Sequence, residues 1–297
     1  MSAYAREEEL ALRVGLFISA APLATTFASS LAYFINSFRT SIASWRLLFL
    51  IEGFPSCCAA FMTWYLLPDS PGTAHFLTAT EQRIAQGRTV EDKGVKLADI
   101  GRGLCDAKNW IIATMYFSCN VSFSSLPVFL PEIIREFGVA PHTAQGLSAP
   151  PYAVAFFTVL FASYTSDRLC QRGYFVIGAA GAGCLGYMLQ LVDSVVVRYI
   201  GVYLSASGIF TAIAMLIPWT INNAATQTGR GMSVAMMNLI GQMGPLVGTN
   251  LYPETDAPRY HRGMTICAAF LGLVVVLAIL LRWKLAREKA RGLPRML

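Results

Sequence analysis

The chain has 297 residues, of which 55% are hydrophobic and only 13% charged, with a mean hydropathy of +0.51. A soluble domain carries about 25% charged residues, so a water-exposed surface over most of the molecule is excluded and the bilayer becomes the solvent. The net charge of +6 lies in short segments between apolar runs. It therefore points to anionic lipid beside the loops and not to nucleic acid.

Uncharged runs occupy 14–38, 53–68, 109–131, 137–166, 173–192, 199–229, 231–253 and 263–281. A helix needs about 20 residues to cross roughly 30 Å of hydrocarbon. The runs thus predict an all-α polytopic membrane protein with eight spanning helices. A membrane barrel would show short stretches of alternating polarity instead.

In chain order, the first run carries small residues at four-residue spacing, Ala20, Ala24, Ala28 and Ala32, a stripe that lets helices approach closely. The second reaches spanning length only if it starts near Arg46 and holds Glu52 inside. An intramembrane carboxylate is a candidate for proton coupling; a packing salt bridge or cap is the alternative. Residues 68–108 form a polar loop in which Thr78 to Glu81, TATE, reads as a capping box.

The third run is interrupted by Pro127 and Pro131, and Pro150 with Pro151 opens the fourth. Tyr116 and Asn120 in the third share one helix face at mid-depth. Ser205 and Ser207 lie at comparable depth in the sixth, which holds Pro218 late in its course. Asn238 and Gln242 form a second i, i+4 pair in the seventh, before Gly244, Pro245 and Gly248. Such polar groups either tie helices together or line a polar path, and Pro245 breaks the helix that carries them.

Between the fourth and fifth runs, YTSDRLCQRGYF packs Asp167, Arg168 and Arg172 into six residues. An acid near a helix C-terminus opposes the helix dipole and needs cationic partners. A latch between neighbouring helix ends is the expectation.

With the N-terminus inside, 17 of the 23 Lys and Arg fall on the inner side and 6 on the outer. This asymmetry places both termini in the cytosol, with the plasma membrane as the expected location. The three histidines, His75, His142 and His261, all lie at or beyond span ends, and no span contains a lysine. Haem, di-iron and retinal chemistry are therefore not expected, nor is a metal site, a cofactor or an enzyme. The seven cysteines show no CxxC spacing and read as small apolar packing residues.

The segment SDRLCQRG resembles the C-terminal-half copy of the major facilitator loop motif. SWRLLFLIEG at 44–53, LPDSPGTAHFLTATE at 67–81, NVSFSSLPVFLPEII at 120–134, GLSAPPYAVAFF at 146–157 and GPLVGTNLYPETDAPRYHRGM at 244–264 resemble the fungal allantoate permease branch of the anion:cation symporters. That branch includes carriers of allantoate, nicotinate, pantothenate and biotin. Its members have twelve helices in two six-helix bundles joined by a cytosolic loop.

The resemblance implies that 1–67 is a two-helix remnant of the N-terminal bundle and 68–108 the central cytosolic loop. Residues 109–282 would be a complete C-terminal bundle and 283–297 a basic tail, so that about helices five to twelve are present. It also implies transport of a small organic anion, a vitamin or nitrogenous carboxylate, by proton-coupled alternating access. Tyr116, Asn120, Ser205, Asn238 and Gln242 would lie on the path. The second reading is a non-transporting remnant, an accessory chain to a full-length carrier, or a nutrient sensor.

Overall fold

The structure is a computed structural model, and it describes residues 10–37, 42–68, 70–74, 76–88, 97–224, 227–256 and 259–291. Helices α1 (Leu10–Ser37) and α2 (Ser44–Leu66) come first. The short α3 (Ala79–Arg88) and α4 (Leu97–Cys105) follow. Then come α5 (Ala107–Arg135), α6 (Pro141–Leu169), α7 (Arg172–Gln190), α8 (Val195–Asn223), α9 (Gln227–Gly241), α10 (Gly244–Gly248) and α11 (His261–Ala290). There is no strand among the described residues.

Six of these, α1, α2, α5, α6, α8 and α11, are each long and apolar enough to cross a membrane. The other two of the eight expected runs fall short of that standard. One is α7, with 19 residues, and the other is split into α9 and α10 around Gln242 and Met243. The capping box forms as read. The Thr78 N–H donates to Glu81 Oε2 at 2.9 Å, and the Glu81 N–H donates back to Thr78 Oγ1 at 3.4 Å.

The core is a single apolar mass shared by α5 to α8 and α11, with Trp219, Tyr152, Tyr187 and Phe210 fully buried in it. The α7–α8 contact is made by glycines facing glycines. A Cβ placed on Gly201 would stand 2.6 Å from the Gly186 carbonyl, and one on Gly208 2.7 Å from the Gly183 Cα. Two backbones approach this closely only where no side chain intervenes.

Three local expectations are corrected. Pro127 and Pro131 lie within the continuous α5, as neighbouring helices allow. Helix α6 already begins at Pro141, so Pro150 and Pro151 sit inside it and do not open it. On α1, Ala20 and Ala24 are exposed, and the packed face is Ala11, Val14, Gly15, Ser19, Pro22, Ser29 and Ile35. A strict four-residue spacing drifts about 40° per step around a 3.6-residue helix, and the buried positions follow the 3.6 period. Helix α2 buries none of its residues; Phe49, Phe54, Phe61 and Trp64 point outward on all sides.

Candidate functional site

The charged knot holds the beginning of α1. Helix α6 ends at Leu169, with Cys170 in the left-handed region at φ 51°. One turn of chain later, Arg172 opens α7. The Asp167 carboxylate accepts the backbone N–H of Ala11 at 3.2 Å and of Leu12 at 2.6 Å. The first N–H groups of a helix have no intrahelical acceptor and carry the positive end of its dipole. Asp167 is therefore an N-terminal cap supplied from 155 residues away.

Arg172, only 1% exposed, donates from Nη2 to Asp167 Oδ1 at 3.1 Å. Asn222 of α8 faces the guanidinium; because both terminal nitrogens there are donors, its amide oxygen is assigned to that side, 2.9 and 3.1 Å from them. Four helices thus meet at one carboxylate–guanidinium pair. Arg168 lies outside this cluster. It is exposed, with its guanidinium 5.2 Å from the centre of the Tyr164 ring.

A second arm fixes the same turn. Arg282 of α11 donates to Gln171 Oε1 at 3.0 Å and lies over the Tyr174 ring. The glycine of the motif has a steric reason: a Cβ on Gly173 would meet the Trp219 ring at 3.1 Å. Away from the knot, α1 and α6 run antiparallel in contact along their length. Gly15 sits over Ser163, and at the other end Gly146 fits beneath the Tyr33 ring, which stacks on His142.

The mid-depth polar residues divide between two seams and one open face. Tyr116 and Asn120 are buried on α5, where Asn120 Nδ2 donates to the Tyr116 carbonyl at 3.0 Å. Gly241 and Gly244 lie directly against them: a Cβ on Gly244 would stand 2.9 Å from Asn120 Cβ and 2.7 Å from the Phe117 carbonyl. Asn238, half-buried, bonds its own helix at the Val234 carbonyl, while Gln242 is exposed at the α9–α10 break. Ser205 is fully buried between α7 and α8, where it accepts from Gln190 Nε2 at 3.0 Å and donates to the Val202 carbonyl. Ser207 is half-buried. Glu52 is exposed on α2, with no side-chain partner among the described residues.

Sequence reasoning missed Asn222 and Arg282, and it missed an ion pair at the opposite end, Glu136 to Arg198 at 3.0 Å. Burial pushes the Glu136 carboxyl upward, and Arg198 opposes that shift without cancelling it. The visible signals were the Asn222–Asn223 pair closing a long apolar run and a lone arginine four residues into another helix.

Comparison with known proteins places this architecture. The sequence pattern of the Major Facilitator Superfamily matches residues 1–249. The MFS transporter prlL of a fungal species (strain NRRL 50135) is 31% identical over 290 residues, covering 93% of this chain and 59% of that protein. The high-affinity nicotinic acid transporter of Saccharomyces cerevisiae is 27% identical, covering 89% of this chain and 51% of that protein. The solved structure of the proton:xylose symporter XylE superposes with a TM-score of 0.66 at 17% identity, over 95% of this chain and 65% of that one; at that identity the likeness concerns the fold. The chain spans under 60% of the length of these curated relatives, which are named as transporters and not as enzymes. By the match along most of its length, the chain belongs to the Major Facilitator Superfamily.

Proposed function

We propose that the protein carries a small organic anion, a vitamin or nitrogenous carboxylate, across the membrane by proton-coupled alternating access. The observation that carries this reading is the cap that Asp167 places on α1. Helix α1 precedes the 68–108 segment and α6 to α8 follow it, so the cap joins the two parts that alternating access moves apart. With the Lys and Arg asymmetry as guide, the Asp167 end is the cytosolic face, and the cap with Arg172 is its latch. The similarity to a nicotinic acid transporter supports the substrate class.

Gln242, exposed at a helix break, and Asn238, one turn earlier on the same face, are the substrate contacts in this reading. Tyr116 and Asn120 hold the seam behind them, and Ser205 supports the path from within the α7–α8 contact. Glu52, a carboxylate on an apolar helix, is the candidate coupling group.

The test is uptake of radiolabelled nicotinate into proteoliposomes with and without an inward proton gradient. Gradient-driven uptake, lowered at least tenfold in Gln242→Ala and uncoupled in Glu52→Gln, is expected. Failure with nicotinate, pantothenate, allantoate and biotin alike refutes the substrate class. Uptake indifferent to the gradient refutes the coupling.

A further inference from the structure

At the end opposite Asp167, external in the orientation proposed above, α5 stops at Arg135 and α8 is in its first turn at Arg198. Two consecutive residues from each side form a clasp there. Arg198 Nη2 donates to Glu136 Oε2 at 3.0 Å, and the guanidinium lies 5.3 Å from the centre of the Phe137 ring. The Phe137 ring meets the Tyr199 ring edge-on at 6.4 Å. The Tyr199 hydroxyl in turn donates to the Leu147 carbonyl of α6 at 2.9 Å.

The ion pair is buried but only half made. The Glu136 and Arg198 side chains are 12% and 11% exposed, so water solvates them little. An arginine can hold a carboxylate by two parallel N–H···O bonds, and here one is formed. Glu136 Oε1 and Arg198 Nε are buried with no hydrogen-bond partner among the described residues. Burial penalises an unmatched carboxylate oxygen far more than an unmatched neutral hydroxyl. A proton on Oε1 therefore relieves the larger cost and leaves Oε2 able to accept from Arg198.

The other charged groups nearby do not complete the pair. Glu132, on the same helix, is held by Arg135 at 2.7 Å and repels the Glu136 charge, while His261, the first residue of α11, attracts it. Asp193 and Arg259 pair with each other at 2.8 Å, and His142 of α6 stacks on Tyr33. Burial outweighs Arg198 and His261, so the Glu136 carboxyl stands above its ordinary 4.5.

We propose that Glu136 is a proton-binding site, distinct from Glu52, with Oε1 as the atom that takes the proton, and that its occupancy loosens the hold of α5 on the first turn of α8. The proton comes from bulk water, and the Glu136–Arg198 pair passes from neutral to cationic. Its charge attraction is lost and one hydrogen bond to a neutral carboxyl remains. Leu147, held by Tyr199, is next to Gly146, on which the Tyr33 ring of α1 rests. The site thus borders the α1–α6 contact. An effect on transport rests on the reading above, but proton uptake and helix loosening are measured without transport.

The experiment uses the purified chain in lipid nanodiscs, titrated from neutral to acid pH. Infrared difference spectra are recorded for the parent, Glu136→Gln, Arg198→Gln and His261→Gln; subtracting the Glu136→Gln series isolates this one carboxyl. Hydrogen exchange at the amides of Arg198, which donates to the Ser194 carbonyl at 2.9 Å, and Tyr199 is followed in the same samples, corrected for intrinsic rates.

The expected result is a protonated-carboxyl band with a midpoint above 4.5 that is missing from Glu136→Gln. Arg198→Gln should raise the midpoint by about one pH unit or more, the effect of removing an opposite charge at this range, and His261→Gln should move it less. Exchange at both amides should accelerate about tenfold or more on acidification, and in Glu136→Gln it should already be fast at neutral pH. The proposal is overturned by a midpoint at or below 4.5, by one that Arg198→Gln leaves in place, or by identical acidification spectra in the parent and Glu136→Gln. It is equally overturned by exchange whose pH dependence disappears in His261→Gln and survives in Glu136→Gln, or by proton uptake with unchanged exchange at both amides. Should Arg198→Gln fail to fold, Glu136→Gln decides the matter through the band and the exchange together.

Discussion

Replacing Asp167 by asparagine removes one charge and leaves the shape. The amide oxygen can still accept one backbone N–H of α1, but the second acceptor becomes an NH₂ donor facing a donor. Arg172, 1% exposed, then loses the Asp167 carboxylate at 3.1 Å. Breaking a buried ion pair by removing one member costs about 3–5 kcal/mol, and a hydrogen bond to a charged group is worth about 1.5–3 kcal/mol. Taking about 3 kcal/mol as the loss in the closed state, the population in which α1 is capped falls roughly a hundredfold, at 1.4 kcal/mol per decade. The amides of Ala11 and Leu12 report this directly, because first-turn N–H groups have no acceptor within their own helix. Hydrogen–deuterium exchange at these two positions should accelerate by about that factor in Asp167→Asn, while amides in the middle of α8 stay protected. Unchanged exchange at Ala11 and Leu12 would refute the reasoning.

Other consequences follow from particular contacts. Gly201→Ala sets a methyl against the Gly186 carbonyl; overpacking of this kind costs about 1–3 kcal/mol, so the melting temperature in detergent should drop by several degrees, and an unchanged value would contradict the glycine seam. The Thr78 hydrogen bonds hold the Glu81 carboxyl below its ordinary 4.5. A depressed folded-state value means that the stabilisation is complete above 4.5 and fades as the pH falls through the lower folded value. Protection of the Thr78 amide, corrected for intrinsic exchange, should therefore be lost on acidification below about pH 4, and Glu81→Gln, which keeps an acceptor but cannot titrate, should remove the pH dependence.

Helix positions were largely legible because a bilayer demands long apolar runs and the charges fall between them. The start of α2 near Arg46 and the capping box ahead of α3 came from local chemistry that needs no tertiary partner. The partner of Asp167 did not. Nothing near residue 167 announces that its acceptors serve backbone groups at residues 11 and 12, and Arg168, adjacent in sequence, was the natural but unused partner. Proline misled in the opposite sense: Pro127, Pro131, Pro150 and Pro151 suggest breaks, yet packed membrane helices absorb them. Ser205 and Gln242 are both polar positions inside apolar runs, and composition could not tell that one is fully buried against Gln190 and the other exposed. Which face of a helix meets a neighbour is a property of the assembled bundle.

The central claim is that α1 and α6 separate during transport. A Cβ on Gly146 would lie 3.6 Å from Tyr33 Cβ, within the roughly 3.5–4.5 Å that a disulfide requires, at the end of the helix pair opposite Asp167. The decisive measurement is substrate uptake by the Tyr33→Cys, Gly146→Cys double variant before oxidation, after it, and after reduction. The account predicts that complete cross-linking abolishes uptake and that a reductant restores it. Full uptake with the cross-link complete would contradict it.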